Sequence, residues 1–384
     1  MRLKWTVIGM LLALCLFAQS LAFADDDAKP DVFKGTIGQA AVVMSLYAEA
    51  SWGNYFYEKY KRDIVLRGSV KGHDYQLFEG LDDDGDRTAN QMQLHRDGTH
   101  LTGTYTSAKG KTLPVVLELV PSGSVPEPRP DLKLEADDAG KLLAGGDYNR
   151  LRLAGLQLAP QKKETFDGGY TIQWYLEPRS GERLFRLVAG WPQAAMTAIN
   201  TQLEAEQFNN ALASLGCAGM GQTPSEVTLE RVDSQFLSAM ISASWSCEGA
   251  AHPNAGVYGI TFDTRTGQEL SLNDLWWLGK GAKPKKDSDA DMDYQDKVFA
   301  PTVVHLLTQW HPKEMSKPTD EDACDYSDPQ VWNLVTYWLT DDGLELYPSF
   351  NHAQEGCQSD TDWAVIPYGV LEKANPALYG KLAK

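Results

Sequence analysis

Short runs of alternating apolar and polar residues follow one another between Phe33 and Val120. The runs read VVMSLY, NYFYEKY, DIVLRG, DYQLFEG, NQMQLH, HLTGTY and TLPVVLELV. Turn-forming residues separate them, at Gly53, Lys71-Gly72, Asp97-Gly98 and Lys109-Gly110. Alternation with a period of two is typical of strands that bury one face, and glycine between such runs is typical of hairpins. Residues 30–122 are therefore predicted to form a small antiparallel β-barrel or sandwich.

A proline-rich and acidic segment follows these runs. The stretch PSGSVPEPRPDLKLEADDAG contains four prolines between Pro121 and Pro130 and ends in acidic residues. Such a composition is typical of a linker, because proline cannot continue a helix or a central strand. We therefore predict a linker at residues 123–146 and a second domain at residues 147–384.

Two helical patterns and several strand patterns occur in the second domain. One helix is expected to start at Pro192 and another to hold Pro301 in its first turn. Their apolar stripes have helical spacing and consist of Met196, Ile199, Leu203, Phe208, Leu212 and Leu215 in the first helix and Val303, Leu306, Leu307 and Trp310 in the second. The strand-like runs are FLSAMISASW, GVYGITFD, WNLVTYWLT and GLELYPSF. The predicted fold class is α+β, with helices packed on a mostly antiparallel sheet.

The first 24 residues have the pattern of a secretory signal peptide. Arg2 and Lys4 precede the apolar run TVIGMLLALCLF, and Ala22-Phe23-Ala24 provides an A-x-A cleavage site. The apolar run is shorter than a transmembrane helix requires. We expect cleavage near Asp25, a periplasmic location and no membrane span afterwards.

The chain is acidic, with a formal charge of −17 at pH 7. Residues 1–24 carry two basic residues and no acidic ones, so the charge of the processed chain becomes −19. This charge argues against nucleic acids and anionic membranes as partners. The favoured explanation of the acidity is solubility, and electrostatic steering toward a cationic protein or ligand is the alternative.

Four cysteines remain beyond the predicted signal peptide. They are Cys217, Cys247, Cys324 and Cys357. An even number of cysteines in an exported chain predicts two disulfides. Of the three possible connectivities, the favoured one is Cys217 with Cys247 and Cys324 with Cys357, because each pair brackets one short segment.

Two acidic stretches and one histidine pair are candidate metal sites. Asp82, Asp84 and Asp86 imitate the first ligands of a calcium loop, but Arg87 replaces the required glycine and Gln93 the bidentate glutamate. The stretch DSDADMD at residues 287–293 lacks the glycine altogether. We therefore predict no calcium site.

The second metal hypothesis concerns His95 and His100. A two-residue turn at Asp97-Gly98 would place these histidines opposite each other. Two imidazoles without a third ligand do not make a zinc site. We predict an exposed pair, with no metal and no cofactor.

The sequence lacks the common catalytic motifs, and His252 has the most distinctive setting among the histidines. It follows Gly249-Ala250-Ala251 and precedes Pro253-Asn254. Small neighbours permit close approach of a partner, so His252 is a candidate recognition residue or general base. The favoured interpretation, however, is that a carbonyl of the loop satisfies the ring, which then simply shapes the turn.

The stretch DTRTGQELSLNDL predicts a turn between two strands. Gly267 follows Asp263 by four residues, and Asp263 can accept a hydrogen bond from the backbone of its own turn. Leu270, Leu272 and Leu275 are then expected to enter the core.

A longer stretch around this turn resembles the RsiV-type extracellular domain family. CEGAAHPNAGVYGITFDTRTGQELSLNDLW is similar to that family's G-G-A-H signature followed by F-D-x-x-T-G and L-x-D-L-F. WPQAAMTAINTQLEA, LTDDGLELYPSF and AVIPYGVLEKANP match further family patterns in the same order. The resemblance covers Gly169 to Pro376. Ala250 replaces the second glycine, and the four cysteines indicate a disulfide-bonded branch.

The resemblance implies binding rather than catalysis. In this family the domain of an anti-sigma factor binds lysozyme, and in a deacetylase the domain sits beside the catalytic module. We therefore expect an exported, non-enzymatic binding protein of the bacterial envelope. One alternative is an inhibitor or immunity protein against lysozyme or another peptidoglycan hydrolase, and another is an uncharacterised hydrolase.

The expected binding surface lies on two polar segments, Trp277 to Tyr294 and Ser349 to Trp363. Loops on a rigid scaffold are where binding residues concentrate. Together with His252, the candidate binding residues are Asp289, Asp291, Asp293, His352, Glu355 and Asp360.

Overall fold

A computed structural model describes residues 29–47, 52–80, 90–132, 145–320, 323–359 and 361–380. The predicted signal peptide, the Asp82 to Asp86 turn and Asp360 lie outside the described residues, as does half of the predicted linker, residues 133–144. No helix in the described ranges is long and apolar enough to cross a membrane.

The N-terminal part is a closed antiparallel barrel. Of the two predicted alternatives, a barrel and a sandwich, the barrel is therefore the correct one. Each strand pairs with the next along the chain, and the first strand pairs with the last. The strands are β1 (Asp31–Ile37), β2 (Ala40–Leu46), β3 (Trp52–Tyr57), β4 (Asp63–Lys71), β5 (Asp74–Glu79), β6 (Gln91–Asp97), β7 (His100–Thr106) and β8 (Thr112–Leu119). The sequence runs correspond to β2 through β8. Strand β1 was missed because Lys34 and Gly35 interrupt its apolar alternation.

The inward faces of these strands form one apolar core. Its largest buried side chains include Phe33, Tyr55, Tyr75, Met92 and Leu117. Four glycines, Gly35, Gly53, Gly68 and Gly103, occupy inward-facing positions of their strands, each two residues from a side chain of the core. A Cβ atom at any of them would lie only 1.8–2.2 Å from a carbonyl oxygen of the neighbouring strand. The prediction of a turn at Gly53 was therefore wrong, because this glycine lets two strands approach closely inside a tightly curved barrel.

Three hairpins of the barrel share one turn geometry. Gly38, Gly72 and Gly98 each occupy the first position of a two-residue loop, with φ of 61°, 61° and 57°. A positive φ at this position alone is the pattern of a type II′ turn.

This turn geometry corrects the predicted histidine pair. The loop consists of Gly98 and Thr99, so Asp97 lies opposite His100 and His95 lies opposite Thr102. His95 instead places its Nδ1 atom 2.7 Å from a carboxylate oxygen of Asp74. The turn was predicted one residue too early, so the cross-strand pairing is shifted by two residues and the two histidines are not opposite each other.

The described part of the predicted second domain contains three further antiparallel sheets, one long helix and several short helices. Their strands are β9 (Ala159–Thr165), β10 (Thr171–Leu176), β11 (Arg183–Ala189), β12 (Gly219–Gln222), β13 (Glu226–Val232), β14 (Phe236–Cys247), β15 (Asn254–Asp263), β16 (Gln268–Glu269), β17 (Thr336–Leu339), β18 (Gly343–Tyr347) and β19 (Val365–Pro367). The helices are α1 (Gly146–Leu153), α2 (Gln193–Gly216), α3 (Leu272–Leu275), α4 (Asp289–Tyr294), α5 (Ala300–Trp310), α6 (Tyr368–Ala374) and α7 (Pro376–Tyr379). A π-helical turn, Gln295–Phe299, joins α4 to α5. This arrangement is consistent with the predicted α+β class.

The long helix α2 is the predicted first helix, and the residues of its apolar stripe are all buried. The N-terminal part of the stripe enters a core with β10, β11, β14 and β15, and the C-terminal part packs on Leu132 and Leu153. The second predicted helix is α5, with Pro301 in its first turn. Both helix predictions are confirmed.

The sheet of β17, β18 and β19 packs across β15. At the crossing, a Cβ atom on Gly259 would lie 1.9 Å from the carbonyl oxygen of Tyr337. Ser238 supports the same crossing, because its hydroxyl accepts a hydrogen bond from the Leu339 backbone N–H at 2.9 Å. Behind this sheet, α3 to α7 enclose the largest apolar core, which includes the predicted core residues Leu270, Leu272 and Leu275.

The barrel and the second region meet at a buried polar contact. Arg152 of α1 donates a hydrogen bond to the carboxylate of Asp63 in β4, and the Tyr148 hydroxyl donates to the same carboxylate at 2.6 Å. The Arg152 guanidinium also lies 4.9 Å from the centre of the Phe56 ring. Arg179 adds hydrogen bonds to backbone carbonyls on both sides of the junction. The contact fixes α1 against the outer face of the barrel.

Candidate functional site

The first element of the candidate site is the loop that joins β14 to β15. Trp245 of β14 and Asn254 of β15 form the last cross-strand pair next to this loop, and His252 is exposed within the loop. A disulfide between Cys217 and Cys247 ties the end of β14 to the residue that follows α2. This pairing confirms the predicted first disulfide and anchors the loop to the longest helix.

The second element is the segment between Ser349 and Trp363. It contains a 3₁₀ helix, His352–Gln358, whose N-terminus is capped by the Asn351 side chain. The Cys324–Cys357 disulfide confirms the second predicted pairing. The Tyr326 hydroxyl donates a hydrogen bond of 2.6 Å to the Cys357 carbonyl oxygen. A segment that was predicted to be a loop is therefore partly helical and firmly attached.

The structure brings His252 and His352 into direct contact. Their rings stack with centroids 3.8 Å apart and an angle of 17° between the planes. Nδ1 of His252 lies 3.0 Å from the Pro253 carbonyl oxygen, and Nδ1 of His352 lies 3.2 Å from a carboxylate oxygen of Glu355. Both acceptors lack a proton, so each Nδ1 carries the hydrogen. The two Nε2 atoms remain available to a partner, as acceptors on neutral rings and as donors on charged rings.

Glu345 and Tyr347, both on β18, have raised pKa values. Burial, followed by the negative charges of Glu230 and Asp362, raises the pKa of Glu345 to about 7, although Trp338 donates a hydrogen bond of 3.1 Å to its carboxylate. Burial, followed by the negative charge of Glu355, also raises the pKa of Tyr347. Sequence reasoning missed Glu345. The available signal was its position between Leu344 and Leu346, which puts its side chain on the face opposite the core.

The three candidate aspartates of the other segment lie on α4 and mostly serve local structure. Asp291 is buried, accepts a hydrogen bond of 2.8 Å from the Asn273 amide and accepts another from the Asp287 backbone. Asp293 pairs with Lys297 one turn later. Asp289 is exposed in the first turn of α4. Within the described ranges, no hydrogen bond or ion pair joins these aspartates to the two histidines.

The histidine pair consists of two exposed imidazoles. In the described part of the chain, no Ser, Thr or Cys side chain hydrogen-bonds to His252 or His352. No group of three or more His, Cys, Asp or Glu residues able to hold a metal occurs among the described residues. Exposed nitrogen atoms on two anchored loops can hydrogen-bond to a partner without any large rearrangement.

The fold and this surface define a disulfide-bonded α+β protein with an attached β-barrel. Comparison with models of known protein families gave no match, and comparison with curated protein sequences gave no significant match. The resemblance to the RsiV-type family therefore stays a prediction made from the residues themselves.

Proposed function

We propose that the chain is an exported binding protein of the bacterial cell envelope whose recognition surface is built around His252 and His352. The observation that carries this proposal is the stacked pair itself. Two segments that are far apart in sequence are each held by a disulfide, and each presents an exposed imidazole to the other. Exposed polar residues on anchored loops add little to core packing, and binding surfaces commonly consist of such residues.

Charge favours a cationic protein as the partner. The formal charge is −17 for the whole chain, and Glu355 lies within the histidine surface. Complementary charge accelerates association and selects against anionic competitors. The resemblance to the RsiV-type family narrows the partner to lysozyme or another peptidoglycan hydrolase. A complex that covers the catalytic cleft of that enzyme would make the chain an inhibitor or immunity protein.

The test is a binding measurement with lysozyme as the probe. The purified chain without residues 1–24 is immobilised, and lysozyme association is followed by surface plasmon resonance at low and high salt. We expect faster association at low salt, because exposed charges are screened as ionic strength rises. The His252→Ala/His352→Ala double variant should bind at least about tenfold more weakly, as expected when central contacts of an interface are removed.

A matched control is His305→Ala, which removes another exposed histidine, on α5. This variant should bind lysozyme like the unchanged chain. Equal affinity of the double variant and the control would remove the histidine surface from the proposal. A lack of retained hydrolase in envelope extracts, together with an unchanged lysozyme zymogram, would remove the inhibitor function. Release of soluble fragments from peptidoglycan by the chain alone would support a hydrolase instead.

A further inference from the structure

A cleft of about 530 Å³ lies beside the Cys217–Cys247 disulfide, and neither His252 nor His352 lines it. One wall is the C-terminal end of α2, and the other walls are β12, β14 and β15. Its lining combines aromatic rings, side-chain amides and small residues, including Trp245, Tyr258, Asn210, Gln222 and Gly256. Volumes of this size are typical of small-molecule sites.

Trp245 forms an aromatic platform in this cleft. Its ring leans across to β15, where a Cβ atom on Gly256 would lie 3.2 Å from the edge of the indole. A larger residue at this position would push the ring away. Trp245 is half-buried, so part of its ring surface is open to the cleft. An aromatic surface that the core does not cover is suited to stacking against a flat apolar face of a ligand.

Fixed polar groups surround the platform. The Tyr258 hydroxyl donates a hydrogen bond of 2.6 Å to Glu206 and accepts one of 2.8 Å from the Asn210 amide nitrogen. This arrangement holds the Asn210 side chain in place and leaves its carbonyl oxygen available to a ligand. Gln222 is oriented in a similar way, by a hydrogen bond from its amide nitrogen to Glu182. Held amides can both donate to and accept from hydroxyl groups.

A second cleft, with a volume of about 590 Å³, adjoins the first at Ser225, which lines both. Trp174 lines the second cleft and is also half-buried. Its indole nitrogen is buried and has no hydrogen-bond partner within the described part of the chain. Each of the two adjoining clefts thus carries one tryptophan, and we call them together the Trp174/Trp245 groove.

We propose that the Trp174/Trp245 groove binds a neutral oligosaccharide, namely a segment of an envelope glycan. Sugar rings offer apolar C–H faces for the tryptophans and hydroxyl groups for the amides, and successive sugars repeat this pattern along a groove. Glu182 and Glu206 hydrogen-bond to residues of the Trp245 half, and Lys162, Arg183 and Glu226 line the Trp174 half. Charges of both signs therefore border the groove, which favours a neutral ligand over a strongly charged one. No residue of the histidine surface lines the groove, and the proposal goes beyond the proposed protein partner.

The test is a titration of the full processed chain with two neutral tetrasaccharides, one of N-acetylglucosamine and one of glucose. Binding is followed by calorimetry and by the NMR signals of the indole N–H groups of Trp174 and Trp245. We expect both signals to shift with at least one sugar. Trp245→Ala should weaken binding at least about tenfold, whereas Trp245→Phe should retain most of it because an aromatic face remains.

Chain length gives a second readout. Trp174→Ala should weaken tetrasaccharide binding more than disaccharide binding, because the shorter ligand can occupy the Trp245 half alone. The control is Tyr60→Ala, which removes an exposed aromatic ring from the barrel. Native thermal unfolding of each variant excludes misfolding as the cause.

Two results would overturn the proposal. One is the absence of any indole shift with either sugar at millimolar concentration. The other is unchanged binding by a correctly folded Trp245→Ala variant. Binding of one tetrasaccharide alone would support the groove and identify the sugar type. None of these outcomes depends on lysozyme binding, so the groove and the histidine surface can fail separately.

Discussion

The guanidinium of Arg152 and the carboxylate of Asp63 form an ion pair with only 2% and 7% of the two side chains exposed. Arg152 belongs to α1 and Asp63 to the barrel, so the pair spans the junction between the two parts of the molecule. A buried charge that loses its partner is far more costly than an exposed one, because neither water nor a counter-charge compensates it. The junction therefore depends on both residues together.

Replacing Arg152 with alanine should lower the free energy of unfolding by about 3–5 kcal/mol, because Asp63 stays buried without its partner. Urea denaturation followed by circular dichroism measures this loss. Lys297→Ala is the control, since both side chains of the Lys297–Asp293 ion pair are exposed and its loss should cost no more than about 1 kcal/mol. The Asp63→Asn/Arg152→Met double variant should recover part of the loss. Equal losses in the two single variants would show that the buried pair has no special role.

Glu345 should make stability depend on pH. Burial raises its pKa from an ordinary 4.5 to about 7, so the folded state favours the protonated carboxyl. The resulting stabilisation is fully present below pH 4.5 and is lost as the pH rises through 7. Glu345→Gln, which resembles the protonated form, should unfold like the unchanged chain at pH 4.5 and at a higher temperature at pH 8.5.

The expected gain at the higher pH is about 1–2 kcal/mol after a discount for partial exposure of the carboxyl. Thermal unfolding across this pH range measures the gain. A variant that gains equally at both pH values would contradict the role of the carboxyl.

Gly259→Ala should be destabilising because the added methyl group meets the backbone of β17, which cannot move aside as a flexible side chain can. A cost of about 1–3 kcal/mol is typical of overpacking. Gly369→Ala is a matched control, since a Cβ atom there meets nothing within 4 Å. Gly369 lies in α6, where alanine should stabilise by about 0.5–1 kcal/mol. Denaturation midpoints that shift in the same direction for both variants would contradict the close crossing at Gly259.

The unreduced chain without residues 1–24 should contain no free thiol. Alkylation followed by mass spectrometry tests this, and a single alkylated cysteine would contradict the two bridges. The bridges close loops with sequence separations of 30 and 33 residues. Loss of either bridge should cost about 3–4 kcal/mol in the chain-entropy description. Cys217→Ser/Cys247→Ser should also weaken binding at the histidine surface, since the loop of His252 loses its anchor.

Features set by local pattern could be predicted from the sequence. The stripe of α2 follows from helical spacing, and the turn at Gly267 was predicted from DTRTG. This glycine has φ of 82°, and its N–H donates to the Asp263 carbonyl oxygen at 2.8 Å. Both features depend on residues a few positions apart, so the chain itself carries the information.

Features set by contacts across the chain could not be predicted. The sequence singled out His252 and His352 separately, but their stacking depends on how two distant segments meet. The sequence around Gly53 predicts a turn, and only the curvature of the barrel shows that this glycine lies within a strand. The platform of Trp245 on Gly256 requires the register of β14 and β15. A turn that is placed one residue too early, as at Gly98, changes which side chains lie opposite each other on the two strands.

Each bridge joins cysteines that are consecutive along the chain beyond the first 24 residues. A chain that crosses a membrane with its N-terminus first therefore presents Cys217 and Cys247 to an oxidase before Cys324 emerges. The first bridge can close while the rest of the polypeptide is still in transit. Cys217 and Cys247 are then already bonded to each other. The free thiol of Cys324 therefore pairs with Cys357, the next cysteine to emerge. For an exported chain, oxidation in order of emergence would yield the native pairing without later exchange of bonds by an isomerase.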